Sequence, residues 1–209
     1  MVRLVEFLLL FVGVPIALWF ARHDFGVILV PCLAVVCGVC LLALLRDPTF
    51  DRRRLGWRAS ARVVLRPALR LLAIGLPVFV GLQLVLEPQR WLEFPGERPW
   101  LWLSIMLGYP LLSVWPQEVV FRAFLFHRYR RLFPSQGLLC LVSALAFGGA
   151  HAFFGNWIAV ALTTVGGWLF ARTYAKSGSV LAATVEHALW GNALFTIGWG
   201  WYFYAESIQ

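Results

Sequence analysis

Apolar residues fill long stretches of this chain, and polar residues break them at regular intervals. Seven apolar runs emerge, at roughly 4–21, 25–45, 68–86, 100–126, 137–155, 157–175 and 179–203. Most approach or exceed the about 20 residues that an α-helix needs to cross the hydrocarbon of a bilayer. Lipid offers backbone N–H and C=O groups no partners, so segments that satisfy their own are the expected solution. The pattern predicts an all-α fold, a polytopic membrane helical bundle of about seven transmembrane helices. No Ser/Gly linker, low-complexity tract or internal repeat divides the chain. Residues 1–209 therefore read as a single membrane domain.

The connections between runs are short except for two. The first, about 46–67, holds Arg46, Arg52, Arg53, Arg54, Arg58, Arg62 and Arg66. Arg58, Arg62 and Arg66 recur every fourth residue beside apolar ones, which predicts an amphipathic helix lying on anionic headgroups. The second, 87–99, holds Glu87, Glu93 and Glu97 against Arg90 and Arg98. Basic loops stay cytoplasmic. That rule puts the Arg-rich loop inside, with the loop bearing Arg128, Arg130 and Arg131 and the one bearing Arg172 and Lys176. The N-terminus is then cytoplasmic, the Glu-bearing loop outside, and Trp91, Trp100, Trp102, Trp199 and Trp201 form an outer aromatic belt. The apolar run after Arg3 has no small-residue cleavage site and reads as a first span, not a removed signal peptide.

Composition agrees. The chain is 61% hydrophobic and 13% charged, against about 25% charged in a soluble domain. Its formal net charge is +8. The basic residues sit between apolar runs, where they serve topology, so nucleic acid is not the expected partner; the lipid bilayer is. Cys32, Cys37, Cys40 and Cys140 fall inside runs and read as small apolar filler, since no second pair completes a zinc site around the Cys37/Cys40 spacing.

Against this background a few polar residues stand out. Charged groups at the centre of a span cost about 2.5–3.5 kcal/mol each on insertion scales and usually serve function. Glu118 and Arg122 lie four residues apart in the fourth run, one helical turn, so they share a face and can pair. Pro116 predicts a helix start just before them. His151 closes "AFGGAH", with Phe147 one turn earlier and Gly148 and Gly149 available for close helix approach. Glu186, His187 and Asn192 lie in the seventh run. A carboxylate and an imidazole can activate a water, and a second imidazole and an amide can stabilise the oxyanion that follows. The same two histidines and glutamate could instead hold zinc, although HExxH spacing is absent. Intramembrane Glu, His and Arg also serve proton relays in transporters, but no pseudo-symmetric halves are visible here.

Three short motifs order these residues: "QEVVFR" at 117–122, "FGGAH" at 147–151 and "HALWGN" at 187–192. In type, order and spacing they resemble EExxxR, FxxxH and HxxxN of the CPBP family of intramembrane endopeptidases, the CAAX-protease and bacteriocin-processing (Abi) group. The resemblance covers roughly residues 100–200. It implies an integral membrane hydrolase, of glutamic or metallo type, that cuts a peptide bond of a membrane-associated peptide or protein substrate by proteolysis. It also implies a bacterial inner-membrane setting, catalytic residues Glu118, His151 and His187, and supporting residues Gln117, Arg122, Phe147, Asn192 and Glu186. Residues 100–203 would be the catalytic helical core and 1–99 flanking helices. No cofactor and no metal are expected, with zinc the alternative. Two positions depart from the pattern. Gln117 stands where the family has its first glutamate, the one given the water-activating role. The asparagine of HxxxN falls on Gly191, and Asn192 follows it. The competing readings are a non-catalytic immunity or scaffold relative and a small proton-coupled transporter.

Overall fold

The computed structural model describes residues 2–22 and 29–203, and every regular element in it is helical. Eight helices follow in order: α1 (Val2–Phe20), α2 (Leu29–Arg46), α3 (Ser60–Leu86), the short α4 (Glu93–Glu97), α5 (99–129), α6 (Gln136–Ala150), α7 (Trp157–Ser177) and α8 (Val180–Ile197). Seven are long rods at the seven apolar runs; residues 25–28 of the second run lie outside the described part. Among the described residues, four segments are both long and apolar enough to cross a membrane by composition alone: Val2–Phe20, Leu29–Arg46, Arg52–Leu86 and Gln136–Phe154. The seven-span expectation is corrected to that extent, and the reason is local. The remaining rods, α5, α7 and α8, carry many aromatic and polar residues, and much of that polarity faces other helices instead of lipid.

Two further expectations change. The amphipathic stretch 58–66 is not a separate surface helix. Helix α3 starts at Ser60 and continues through Pro67 and Pro77 to Leu86, so Arg62 and Arg66 form the exposed basic end of a span. Nor does α5 break near Pro116. Wider π-helical turns at Pro110–Val114 and Val119–Phe124 accommodate the prolines, and the rod continues. Such turns displace the side chains that follow them and recur at functional sites.

Capping starts the last three helices. Ser135 accepts from Leu138 N–H at 3.0 Å, Asn156 from Ala159 N–H at 2.8 Å, and Ser179 from Ala182 N–H at 3.1 Å. Each satisfies a backbone donor that would otherwise be orphaned in an apolar setting. Gly178 ends α7 with φ +63°, a left-handed turn that only glycine adopts freely. Helices α6 and α7 approach closely. A Cβ on Gly148 would collide with the Thr164 side chain, and one on Gly167 would lie 3.0 Å from the Phe147 ring and 3.2 Å from the Ala144 backbone. Gly149 faces open space.

The connections sort to two ends. At one, Asp47 accepts from His127 at 2.9 Å, Ser60 donates to the Ser177 carbonyl at 2.7 Å, and Ser179 to the Gly56 carbonyl at 2.8 Å. All three Arg-bearing connections therefore share this end. Thr49 and His127 hydrogen bonds hold the Asp47 carboxyl well below the usual carboxylate range. At the other end, Arg90 pairs with Glu87 and stacks 3.9 Å over the Trp201 ring, and Trp199 donates to the Phe79 carbonyl at 3.1 Å. The first helix is tied on by Glu6, which accepts from Arg128 at 2.8 and 3.0 Å and from Tyr129 at 2.9 Å. The three buried cysteines, Cys37, Cys40 and Cys140, and the exposed Cys32 are all free thiols.

Candidate active site

Helix α5 supplies the central charge. Glu118 and Arg122 have no exposed surface, and Arg122 Nε lies 3.0 Å from Glu118 Oε2. The pairing expected from their spacing is present. Arg122 Nη1 donates to Ser143 Oγ of α6 at 2.6 Å, and Ser143 donates onward to the Phe121 carbonyl at 2.8 Å. The guanidinium also sits 5.0 Å over the Phe147 ring, a contact that gains strength in a dry site.

Glu118 Oε1 accepts from His187 Nδ1 at 2.9 Å. An ionised carboxylate only accepts, so Nδ1 carries the hydrogen. The other nitrogen, Nε2, lies 3.1 Å from the Tyr109 hydroxyl. The imidazole is held in place by Phe170, stacked at 4.4 Å with planes 13° apart, and by Phe147, edge-on at 5.4 Å. His151 sits just past the end of α6. Its Nδ1 lies 2.7 Å from the Phe147 carbonyl, which also only accepts, so the lone pair of the neutral ring is on Nε2. The Phe147 ring, 4.5 Å from His151, thus stands between the two imidazoles.

Both histidines line one cavity of about 1140 Å³, with walls drawn from α1, α2, α5, α7 and α8. Tyr109, Ser113, Gln117 and Phe147 line it too. Gln117 Nε2 donates to Ser113 Oγ at 2.7 Å. Glu118 lies behind this wall, not in it. Of the adjacent pair, the amide faces the cavity and the carboxylate faces His187 and Arg122.

The remaining expected residues lie elsewhere. Glu186, one position from His187, is buried on α8 with Thr173 of α7 beside it. Asn192 donates to the Met106 carbonyl at 3.1 Å and so braces α8 against α5. Gly191 lines the cavity. Among the described residues no group of three or more His, Cys, Asp or Glu side chains is placed to hold a metal ion. Sequence reasoning missed Tyr109, Ser143 and Phe170. An aromatic or a serine in an aromatic-rich span gives no signal of its own.

The segment that builds this arrangement, residues 99–194, matches the Rce1-like family of type II CAAX prenyl endopeptidases. No curated protein and no solved structure matches the chain. The matched segment runs from the start of α5 into α8 and contains every charged or imidazole side chain of the site. With its apolar spans, the chain is an integral membrane protein, and the segment that matches the endopeptidase family is the part that carries the buried polar groups.

Proposed function

We propose that the protein is an intramembrane endopeptidase that hydrolyses a peptide bond of a membrane-associated substrate with an imidazole-activated water. The observation that carries this reading is a pair of histidines on one cavity, each with Nδ1 already committed, His187 to Glu118 and His151 to the Phe147 carbonyl. The free lone pair on His151 Nε2 takes a proton from water as the water oxygen bonds to the substrate carbonyl carbon and the C=O π pair moves onto oxygen. His151 then returns the proton to the leaving nitrogen as the C–N bond breaks. Glu118 works through His187: it fixes the ring and favours positive charge there, beside the developing oxyanion. Arg122 and Phe147 hold the two groups in register. Gln117, its Nε2 held by Ser113, offers its carbonyl oxygen to orient the water. In this reading neither metal nor cofactor takes part, and residues 100–203 are the catalytic core with 1–99 as its flank, although α1 and α2 help wall the cavity.

The family points to a prenylated CAAX-type C-terminus, or another membrane-anchored peptide of that kind, as the substrate class. We place the protein in a bacterial inner membrane with the Arg-bearing end in the cytoplasm, because all three basic connections share that end. A binding-only relative is the second reading, favoured by the amide at the cavity-facing position 117. One experiment decides between them. Membrane peptides from cells making the wild type and His151→Ala are compared by mass spectrometry, and a quenched-fluorescence prenyl-CAAX peptide is assayed alongside. Cleavage by the wild type, lower by about 10²–10⁴-fold in His151→Ala and unchanged by chelators, is expected. Identical peptides from the two cell types, with no cleavage of the fluorescent peptide, would establish the binding-only reading. Loss of activity to a chelator and its return with zinc would overturn the metal-free mechanism.

A further inference from the structure

Position 191 is one turn beyond His187 on α8, so a side chain there would point along the same face. The residue is glycine, and its space is taken from across the helix interface. A Cβ at Gly191 would lie 2.5 Å from Tyr109 Oη and 2.5 Å from its Cε1. The phenol of α5 therefore occupies the volume that a side chain at 191 would fill. It lines the cavity, packs edge-on to Phe195 at 5.4 Å, and sets its hydroxyl 3.1 Å from His187 Nε2. Tyr109 immediately precedes the π-helical turn at Pro110–Val114, which offsets it from the regular helical register of Glu118.

We propose that Tyr109 is a catalytic residue of this site: its hydroxyl donates to the oxyanion of the tetrahedral intermediate, from the space left by Gly191. The inference rests on the endopeptidase reading. Two hydrogen arrangements fit the 3.1 Å contact. A neutral His187 accepts the phenol proton. A charged His187 donates Nε2–H to the phenol oxygen, and the O–H is then free to turn into the cavity. Glu118 on Nδ1 fixes the ring against the phenol, and the hydroxyl turns from Nε2 into the cavity when negative charge develops on the substrate oxygen. No bond to the tyrosine is made or broken. The hydroxyl reorients and donates, and the proton from water still passes through His151.

Tyr109→Phe tests the assignment, because it keeps the ring against Gly191 and Phe195 and removes only the hydroxyl. Its kinetics are measured on the prenyl-CAAX peptide, or on the cleaved sequence found by mass spectrometry. A fall in kcat of about 10²–10³-fold is expected, with KM within about twofold and an unchanged melting temperature. In the pair Tyr109→Ala with Gly191→Asn, an amide replaces the lost hydroxyl, and at least a tenfold gain in kcat over Tyr109→Ala alone is expected. If Tyr109→Phe does not fold, Gly191→Ala, which forces the phenol aside, is read in the same way. Wild-type kcat in the folded variant, or a change confined to KM, would overturn the proposal. The two levels separate cleanly. A wild type no more active than His151→Ala removes the endopeptidase reading and Tyr109's role with it. An active wild type, an inactive His151→Ala and a fully active Tyr109→Phe remove the role of Tyr109 alone.

Discussion

Arg122 is a guanidinium with no exposed surface, held by one carboxylate, one hydroxyl and one aromatic face. Removing one partner of such a pair leaves an uncompensated charge in a low dielectric, which costs about 3–5 kcal/mol. Arg122→Leu is therefore expected to lower stability by about that much in a denaturation series in detergent, because Glu118 stays behind. Glu118→Gln with Arg122→Leu removes both charges and is expected to recover most of the loss. Activity is expected to stay low in the double variant, since His187 then lacks its carboxylate. Full cleavage by the double variant would assign Glu118 a purely structural role. The four-residue spacing of Glu118 and Arg122 made this pair legible in the sequence, and the rarity of intramembrane histidine made His151 and His187 legible. Which of Gln117 and Glu118 meets the cavity was not. Neighbours on a helix point about 100° apart, and two π-helical turns rotate this rod by amounts that no residue pattern announces. The placement of Asn192 was hidden for the same reason: one position past the family spacing, it donates to the Met106 carbonyl.

Helix packing shows a similar boundary at the scale of elements. The Gly148–Gly149 pair signals close approach of a neighbouring helix, but only one of the two provides it. Gly148 faces Thr164 of α7 without room for a methyl group, whereas Gly149 has nothing within 4 Å of its would-be Cβ. Gly148→Ala is expected to destabilise by about 1–3 kcal/mol, the usual cost of overpacking. Gly149→Ala is expected to be neutral or to stabilise by up to about 1 kcal/mol, because alanine restricts the unfolded chain and suits a helix better. Unfolding midpoints of the two variants in one detergent check the difference; equal losses would contradict the packing at this interface. Phe147, one turn before His151, also packs against α7, at Gly167, so spreading α6 from α7 also moves the ring that separates the imidazoles. Gly148→Ala is thus expected to lower activity more than Gly149→Ala does. Periodicity located α6 and α7 well, and the structure shows why they end where the apolar runs do: Ser135 and Asn156 cap their starts and Gly178 closes α7. It misjudged the start of α3, where Arg62 and Arg66 resembled a surface helix. Leu65 and Ala68 are buried together with Ala182 of α8, and that contact carries the helix through Pro67 without a break.

For the molecule as a whole, apolar length and loop charge were enough to sort the connections, because both act through the bilayer and not through particular contacts. The three basic connections do meet at one end, where Asp47 bonds His127 and Ser60 bonds Ser177. The Glu87–Arg90 pair and the Trp199–Phe203 turn meet at the other. What charge could not reveal is the part taken by α1 and α2, which carry no site residue yet wall the cavity through Phe11, Leu33 and Cys40 among others. Their place depends on distant contacts such as Glu6 with Arg128 and Tyr129, invisible to any local pattern. The proposed orientation rests on the charge asymmetry and can be tested directly. In a chain whose four native cysteines are changed to alanine, single cysteines at Arg62 and at Glu93 occupy exposed sites near opposite ends. A membrane-impermeant maleimide added to intact inner-membrane spheroplasts is expected to label the Glu93→Cys chain and to spare Arg62→Cys until the membrane is opened. The reverse order would invert the topology. Equal labelling of both before opening would mean that the basic end of α3 does not mark the cytoplasmic face.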